Sequence, residues 1–291
     1  MITASIALVL TVAVGAVGAP DTDQMARGER ARPSLVPRTG TVPLPPHDWE
    51  GWKFTWRDDR FNMWLGHLQF HTVPNFTTTG FEMVDIPGDL HEQMLQQLYT
   101  SLNHTDVFEK DVYVNIMPAV GEETQFSPQY IFNNRIHQEL QAMHEGWAGV
   151  ALERTAAFGI RVYRNGNVLK KHVDRVGTHI VSSILHIGRD VDEVWPLAIL
   201  DNDGVPHTID LVPGKMLFYE SARLLHWRPR SLRGRYYAST FLHYRPVGWQ
   251  VTFEDVVASL PPGWDHGTSS DKQHEALLPE GPVADQGRSD L

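Results

Sequence analysis

The apolar positions change period along the chain, from helical in the first half to strand-like in the second. After the break at Pro87-Gly88-Asp89, Leu90, Met94, Leu95, Leu98 and Leu102 recur at helical spacing, which predicts a helix N-capped by Asp89. A second helix is predicted over 134–145, with Ile136, Leu140 and Met143 on its buried stripe. Trp52, Phe54 and Trp56 alternate within an aromatic stretch, as a strand with one buried face would, and 112–116 reads as a short strand. After Trp147 the runs become short and β-rich. Asn165-Gly166 predicts a two-residue hairpin joining 160–164 to 168–173. Further strands are predicted over 180–187, 195–200, 205–212, 215–219 and 236–244, with turns at Asp203-Gly204 and Pro213-Gly214. Closely spaced strands of this kind form a sandwich or jelly roll, here with the preceding helices packed outside it, an α+β domain.

The ends of the chain differ from this middle. Residues 1–19 are apolar or small, a pattern expected of a secretory signal cut near Ala16 or Ala19. The run is short for a membrane span. An uncleaved anchor or a disordered apolar N-terminus remains the alternative, because no Lys or Arg precedes the run and Pro20 follows Ala19. Residues 20–46 are rich in Pro, Arg, Gly and Thr without apolar period, as in a disordered linker, and 261–291 is expected to be a disordered tail. Between them, 47–157 is expected to form the helical and aromatic first part of the main domain, and 158–247 its jelly-roll core. Asn75-Phe76-Thr77 and Asn103-His104-Thr105 are acceptor sequons, consistent with the secretory pathway, in the ER lumen or beyond the cell.

Composition narrows the chemistry. The formal charge is −10, which argues against a nucleic-acid surface. Absence of cysteine removes disulfides, thiolate catalysis and zinc–thiolate sites, while 15 histidines leave imidazole chemistry open. With 35 acidic residues as well, about two His-x-acid triplets are expected by chance, and three occur. His104-Thr105-Asp106 overlaps a sequon at a helix end. His137-Gln138-Glu139 lies within a predicted helix, where residues two apart diverge. His172-Val173-Asp174 lies on a predicted strand, where they share a face and can reach one metal.

A second histidine must return from a distant strand. His226, just before the last long strand, does so, with His179, His186, His207 and His243 as competitors. Two imidazoles and a carboxylate leave coordination positions open, the arrangement used by non-haem Fe(II) oxygenases. Nine positions on, Arg235 opens the last strand, where its planar fork suits a dicarboxylate co-substrate. In the predicted hairpin Tyr163 pairs with Val168 and shares a face with Lys170, His172 and Asp174. Its hydroxyl then either reaches the co-substrate or packs in the barrel. Lys170 and Lys171 read equally as solvated charges.

As an ordered set, Val162-Tyr163-Arg164-Asn165-Gly166, His172-Val173-Asp174, residues 211–219 and residues 226–244 resemble the 2-oxoglutarate- and Fe(II)-dependent dioxygenases, in their prolyl 4-hydroxylase-like branch. The resemblance covers under a third of the chain. It implies a double-stranded β-helix with His172, Asp174 and His226 as Fe(II) ligands and catalytic centre. Arg235 would bind the distal carboxylate of 2-oxoglutarate, assisted by Tyr163 and Ser239, with O₂ as co-substrate and ascorbate as a supporting reductant. Asp174 departs from halogenases, which lack the carboxylate ligand. Arg235 is similar to the oxygen-sensing branch, whereas collagen-type and plant enzymes usually carry Lys there. His186 stands where a tyrosine is common, and Trp227 is expected to narrow the pocket. The activity implied is hydroxylation of a peptidyl residue, proline first, in a peptide or protein, with proline-rich sequences among the candidates. A 2-oxoglutarate oxygenase acting on another amino acid or a small molecule is the alternative, and a non-catalytic metal-binding jelly-roll domain a third.

Overall fold

A computed structural model of the chain describes residues 59–110 and 121–258. The predicted signal, linker, aromatic strand at 52–56, strand at 112–116 and tail lie outside the described residues. Helix α1 (Asp59–Thr72) and strand β1 (Phe81–Asp85) precede helix α2 (Gly88–Asn103), which bears the predicted stripe. Leu90, Met94 and Leu98 are buried on it. Its N-cap is Pro87, and Asp89 sits in the first turn, where a carboxylate favours the positive end of the helix. Strands β2 (Glu109–Lys110) and β3 (Gln125–Ser127) follow.

The predicted second helix is two, α3 (Tyr130–Glu139) and α4 (Gln141–Ala148), broken at Leu140. The Leu140 carbonyl takes the Met143 amide at 3.1 Å, the His144 amide at 3.2 Å and the His144 Nδ1–H at 2.7 Å, so the first turn of α4 tightens. The restart rotates the stripe: His144 and Ala148 are buried on α4, while Met143 is exposed rather than buried.

The β-rich half forms two sheets. Strands β4 (Leu152–Ala157), β5 (Ile160–Tyr163), β6 (Val181–Val191), β9 (Lys215–Tyr219) and β11 (Gly234–Pro246) join β1, β2 and β3 in an antiparallel sheet ordered β1-β9-β6-β11-β5-β3-β2, with β4 also pairing β11. A smaller sheet has the order β10-β7-β8, from β10 (His226–Trp227), β7 (Leu197–Leu200) and β8 (Pro206–Ile209). Helix α5 (Phe253–Ala258) follows the last strand.

Alternation along the strands of the larger sheet divides two cores. Val162, Leu185, Ile187, Met216 and Phe218 pack with α2, α3 and α4. Tyr163, Ile184, Leu217, Tyr219 and Tyr237 pack instead with Leu197 and Ile199 of the smaller sheet. The second core therefore lies between the sheets, as in the predicted jelly roll. Strand β6, covered on both faces, is buried without a break over its first eight residues for that reason, its Ser182, Ser183 and His186 included. Helix α2 rides close over it at Gly188, where a Cβ would stand 3.2 Å from Leu98. Among the described residues, no helix is long and apolar enough to cross a membrane.

The predicted hairpin does not form. Asn165-Gly166 is a turn with Gly166 at φ 84°, but β5 pairs with β11 and β3, and Tyr163 faces Tyr237 instead of Val168. Buried Asn167 directs the chain away. Its Oδ1 accepts from the Arg164 amide at 2.7 Å and the Thr124 hydroxyl at 2.8 Å. Amide–carbonyl bonds of 2.8 Å in both directions tie this turn to Leu232 (Gly166 N–H to Leu232 O, Leu232 N–H to Asn167 O). Segment 168–173 thus leaves the larger sheet and reaches the smaller one.

Candidate metal centre

Where that segment arrives, His172 meets His226 in an antiparallel bridge. The His172 amide donates to the His226 carbonyl at 3.1 Å, and the reverse bond is 3.0 Å. Directly opposed residues of such a pair send their side chains to the same face. The two rings accordingly lie with centroids 4.2 Å apart. Asp174, two residues on, shares the face of His172. Its Oδ1 is 3.7 Å from His172 Nε2 and 4.0 Å from His226 Nε2. Among the described residues this is the one group of three or more acidic or histidine side chains arranged to hold a metal, with ligand atoms all within 4.8 Å.

Tautomers follow from the backbone. His172 Nδ1 lies 2.8 Å from the Lys170 carbonyl and His226 Nδ1 2.8 Å from the Leu224 carbonyl. A carbonyl only accepts, so each Nδ1 carries the proton and each Nε2 keeps its lone pair. Burial lowers the pKa of both imidazoles to about 4, with the neighbouring His226 adding to the effect at His172. Both are neutral at physiological pH. Two neutral Nε2 donors and one carboxylate oxygen, converging on a buried point, fit a divalent iron site with open positions.

Further residues hold this geometry. Tyr219 on β9 lies near enough to Asp174 to sense its charge and sets its ring edge-on to His226, with centroids 5.0 Å apart. Burial, then the Asp174 charge, raises its pKa well above the usual phenol value, so it remains a donor. Gln69 of α1, 1% exposed, donates its amide to the Asp174 carbonyl at 2.9 Å and to the Ala222 carbonyl. The Asp174 amide donates to Ser221 O at 2.9 Å. Neither Tyr219 nor Gln69 follows from the sequence reading. An aromatic strand-end tyrosine reads as core, and a glutamine on a helix carries no pattern.

The competing histidines have other roles. His207 pairs with Asp201 at 2.7 Å at the outer edge of the smaller sheet. His186 stacks on Tyr237 inside the barrel, centroids 3.9 Å apart, and donates from Nδ1 to the Ala238 carbonyl at 3.0 Å. His179 and His243 stack on each other at 3.8 Å, with Phe158 5.4 Å from His243. Burial lowers the pKa of both; His179 falls to about 4. Ser221, whose carbonyl accepts the Asp174 amide, links this group to the triad: its hydroxyl donates to the His179 carbonyl at 2.8 Å and lies 2.6 Å from Ser182 Oγ, which is 2.7 Å from His243 Nδ1.

The expectation for Arg235 is corrected. Its side chain is 83% exposed and pairs with Asp190 on the outside of the sheet. The pairing of β11 with β6 shifts register between Gly234 and Tyr236, so Arg235 occupies a bulge without a ladder partner. A bulge breaks the alternation that would have turned positions 235, 237 and 239 to one face. Tyr237, 0% exposed, takes the inward position instead. A second register shift separates Ala238 from Ser239. Ser239 is buried, opposite His186 on one side and Arg161 on the other, on grounds other than the spacing from Arg235. Tyr163 is buried in the barrel, edge-on to Trp195 at 5.0 Å, although the hairpin argument for it fails. Trp227, next to an inward ligand, faces the other way and carries Lys171 Nζ 4.8 Å over its ring. Of the sequon residues, Asn103 is exposed at the end of α2. Asn75 is half-buried, and the Thr77 hydroxyl of its sequon donates to the buried Glu220 at 2.8 Å.

No family model and no curated protein matches the sequence. Solved structures do resemble it. A Pseudomonas putida prolyl-4-hydroxylase is 17% identical, over 58% of this chain and 94% of that one, with a TM-score of 0.47. A Trichoplax adhaerens prolyl hydroxylase in complex with a hypoxia inducible factor peptide fragment is 16% identical, over 66% and 93%, with a TM-score of 0.45. Streptomyces hygroscopicus HygX with nickel, 2-oxoglutarate and hygromycin B is 13% identical, over 60% and 85%, with a TM-score of 0.45.

Proposed function

We propose that this chain is an Fe(II)- and 2-oxoglutarate-dependent dioxygenase that hydroxylates a peptidyl residue, proline being the first candidate. The observation that carries the reading is the convergence of two deprotonated Nε2 atoms and the Asp174 carboxylate on one buried point. The ordered motifs that resemble the prolyl 4-hydroxylase-like branch point the same way. When bound, iron and 2-oxoglutarate supply oxidation of a C–H bond by O₂, one oxygen entering the product as hydroxyl and the other entering succinate as CO₂ leaves.

The residues of the chain do the rest. His172, Asp174 and His226 would hold the metal on one face and leave the other open. Gln69 holds the backbone of Asp174 in place, and the carbonyls of Lys170 and Leu224 fix the imidazole tautomers. Ile184 and Leu217 in the barrel keep the interior dry. Phe158, His179 and His243 form an aromatic group in which Phe158 stands edge-on to His243, apolar surface suited to a ring or an aliphatic side chain. The apolar N-terminal run and the sequons favour a secretory-pathway enzyme.

The test loads anaerobic protein with Fe(II) and 2-oxoglutarate, admits air with a proline-rich peptide pool, and measures succinate and peptides heavier by one oxygen. Both should appear. Succinate without peptide oxidation would move the substrate to another amino acid or a small molecule, and no succinate across substrate libraries would leave a non-catalytic metal-binding domain.

A further inference from the structure

With Arg235 outside the barrel, the far end of an acid bound at the triad needs another cation. Three arginines are buried among the described residues: Arg161, Arg223 and Arg228. Arg223 clamps α1, donating Nη1 to the carbonyls of Phe70 and Val73, the latter at 2.7 Å, and Nε to Asn202 at 2.7 Å. Arg228 is packed among rings, 4.4 Å from Trp195 and 4.5 Å from Tyr237, and donates to the Trp195 carbonyl. The Tyr237 ring is also stacked against His186, so Arg228 belongs to a filled aromatic end of the barrel.

Arg161 is placed differently. It stands on β5 directly opposite Ser239 and shares the inward face with Tyr163. Its guanidinium carbon lies 4.9 Å over the Phe241 ring. The inward face lines the core between the sheets together with Tyr219, whose ring lies 5.0 Å from that of His226. A guanidinium offers five donors in a planar fork, two of which match a carboxylate.

Resting on the dioxygenase reading, we propose that Arg161, and not Arg235, anchors the distal carboxylate of the dicarboxylic co-substrate, with the Ser239 hydroxyl opposite it as a second donor. The anchor thus comes from the strand before the His-x-Asp segment instead of from the strand after His226.

The test is calorimetric binding to Mn(II)-loaded protein without O₂, comparing 2-oxoglutarate with 2-oxobutanoate, which lacks the distal carboxylate. Wild type should prefer 2-oxoglutarate. Arg161→Leu should weaken 2-oxoglutarate by about tenfold to a hundredfold, the worth of a charge-assisted pair, and leave 2-oxobutanoate unchanged. Arg161→Lys should recover part of the loss, and it carries the test if the leucine variant does not fold. Unchanged Mn(II) binding by each variant shows an intact triad. Arg235→Ala should bind both acids like wild type. A retained preference in Arg161→Leu, or its loss in Arg235→Ala, overturns the assignment. Wild type that binds Mn(II) but neither acid overturns the dioxygenase reading itself, and this inference with it.

Discussion

His172 and His226 oppose each other as a hydrogen-bonded pair, amide to carbonyl in both directions at 3.1 and 3.0 Å. The backbone of two distant segments therefore sets the separation of the imidazoles before any metal arrives. Preorganisation of this kind lets loss of one ring leave the other in place. His172→Ala and His226→Ala should each abolish iron-dependent turnover and weaken Co(II) binding by more than the about 10- to 100-fold that outer-sphere changes cost. The measurement is Co(II) absorption, with circular dichroism expected to be unchanged.

Tyr219 acts on the site through Asp174. Tyr219→Phe removes the hydroxyl and keeps the ring against His226. Metal affinity should fall by about 10- to 100-fold with little change in thermal unfolding of the metal-free protein. Calorimetric titration with Mn(II) reads the first, and a melting curve the second. Equal affinity in the variant would show that the hydroxyl does not orient the carboxylate.

Gln69 joins helix α1 to the ligand loops. Gln69→Leu would leave the carbonyls of Asp174 and Ala222 without their buried donor. Such a loss costs about 1–3 kcal/mol for an unsatisfied buried group. A urea titration of the metal-free variant should show a lower midpoint with an unchanged slope.

Protonation should unfold the metal-free protein in a defined window. Burial lowers the pKa of His137 and His144 to about 4 from the ordinary 6.5. Both are neutral in the fold: His137 Nε2–H donates to the His243 carbonyl at 3.0 Å, and His144 Nδ1–H to Leu140 O at 2.7 Å. The unfolded chain binds more protons between these values. Stability is therefore complete above about pH 6.5 and falls as pH drops toward 4, by up to about 1.4 kcal/mol per pH unit for each group. The metal should be retained to lower pH than free imidazole allows, since His172 and His226 also titrate at about 4. Chemical denaturation and Mn(II) titration between pH 8 and pH 4 test both statements.

Local patterns carried much of this protein. The stripe of Leu90, Met94 and Leu98 dictates α2, and residues 215–219 form β9 with the bounds expected, because apolar periodicity and turn residues are properties of neighbouring positions. His172 and Asp174 share a face for the same local reason, whereas His226, expected just before the last long strand, forms its own short strand β10 in the smaller sheet. Tertiary structure decided what depends on partners far along the chain. The bulge at Arg235 arises from register against β6, and it turns outward a guanidinium that plain alternation would have placed within. The failed hairpin follows from Asn167 and Leu232, whose hydrogen bonds draw segment 168–173 onto the smaller sheet, where His172 meets His226. Gln69, Tyr219 and Arg161 matter through contacts whose partners lie on other elements. A side chain's chemistry is written in its residue type, but its direction is set by the strand or helix packed against it.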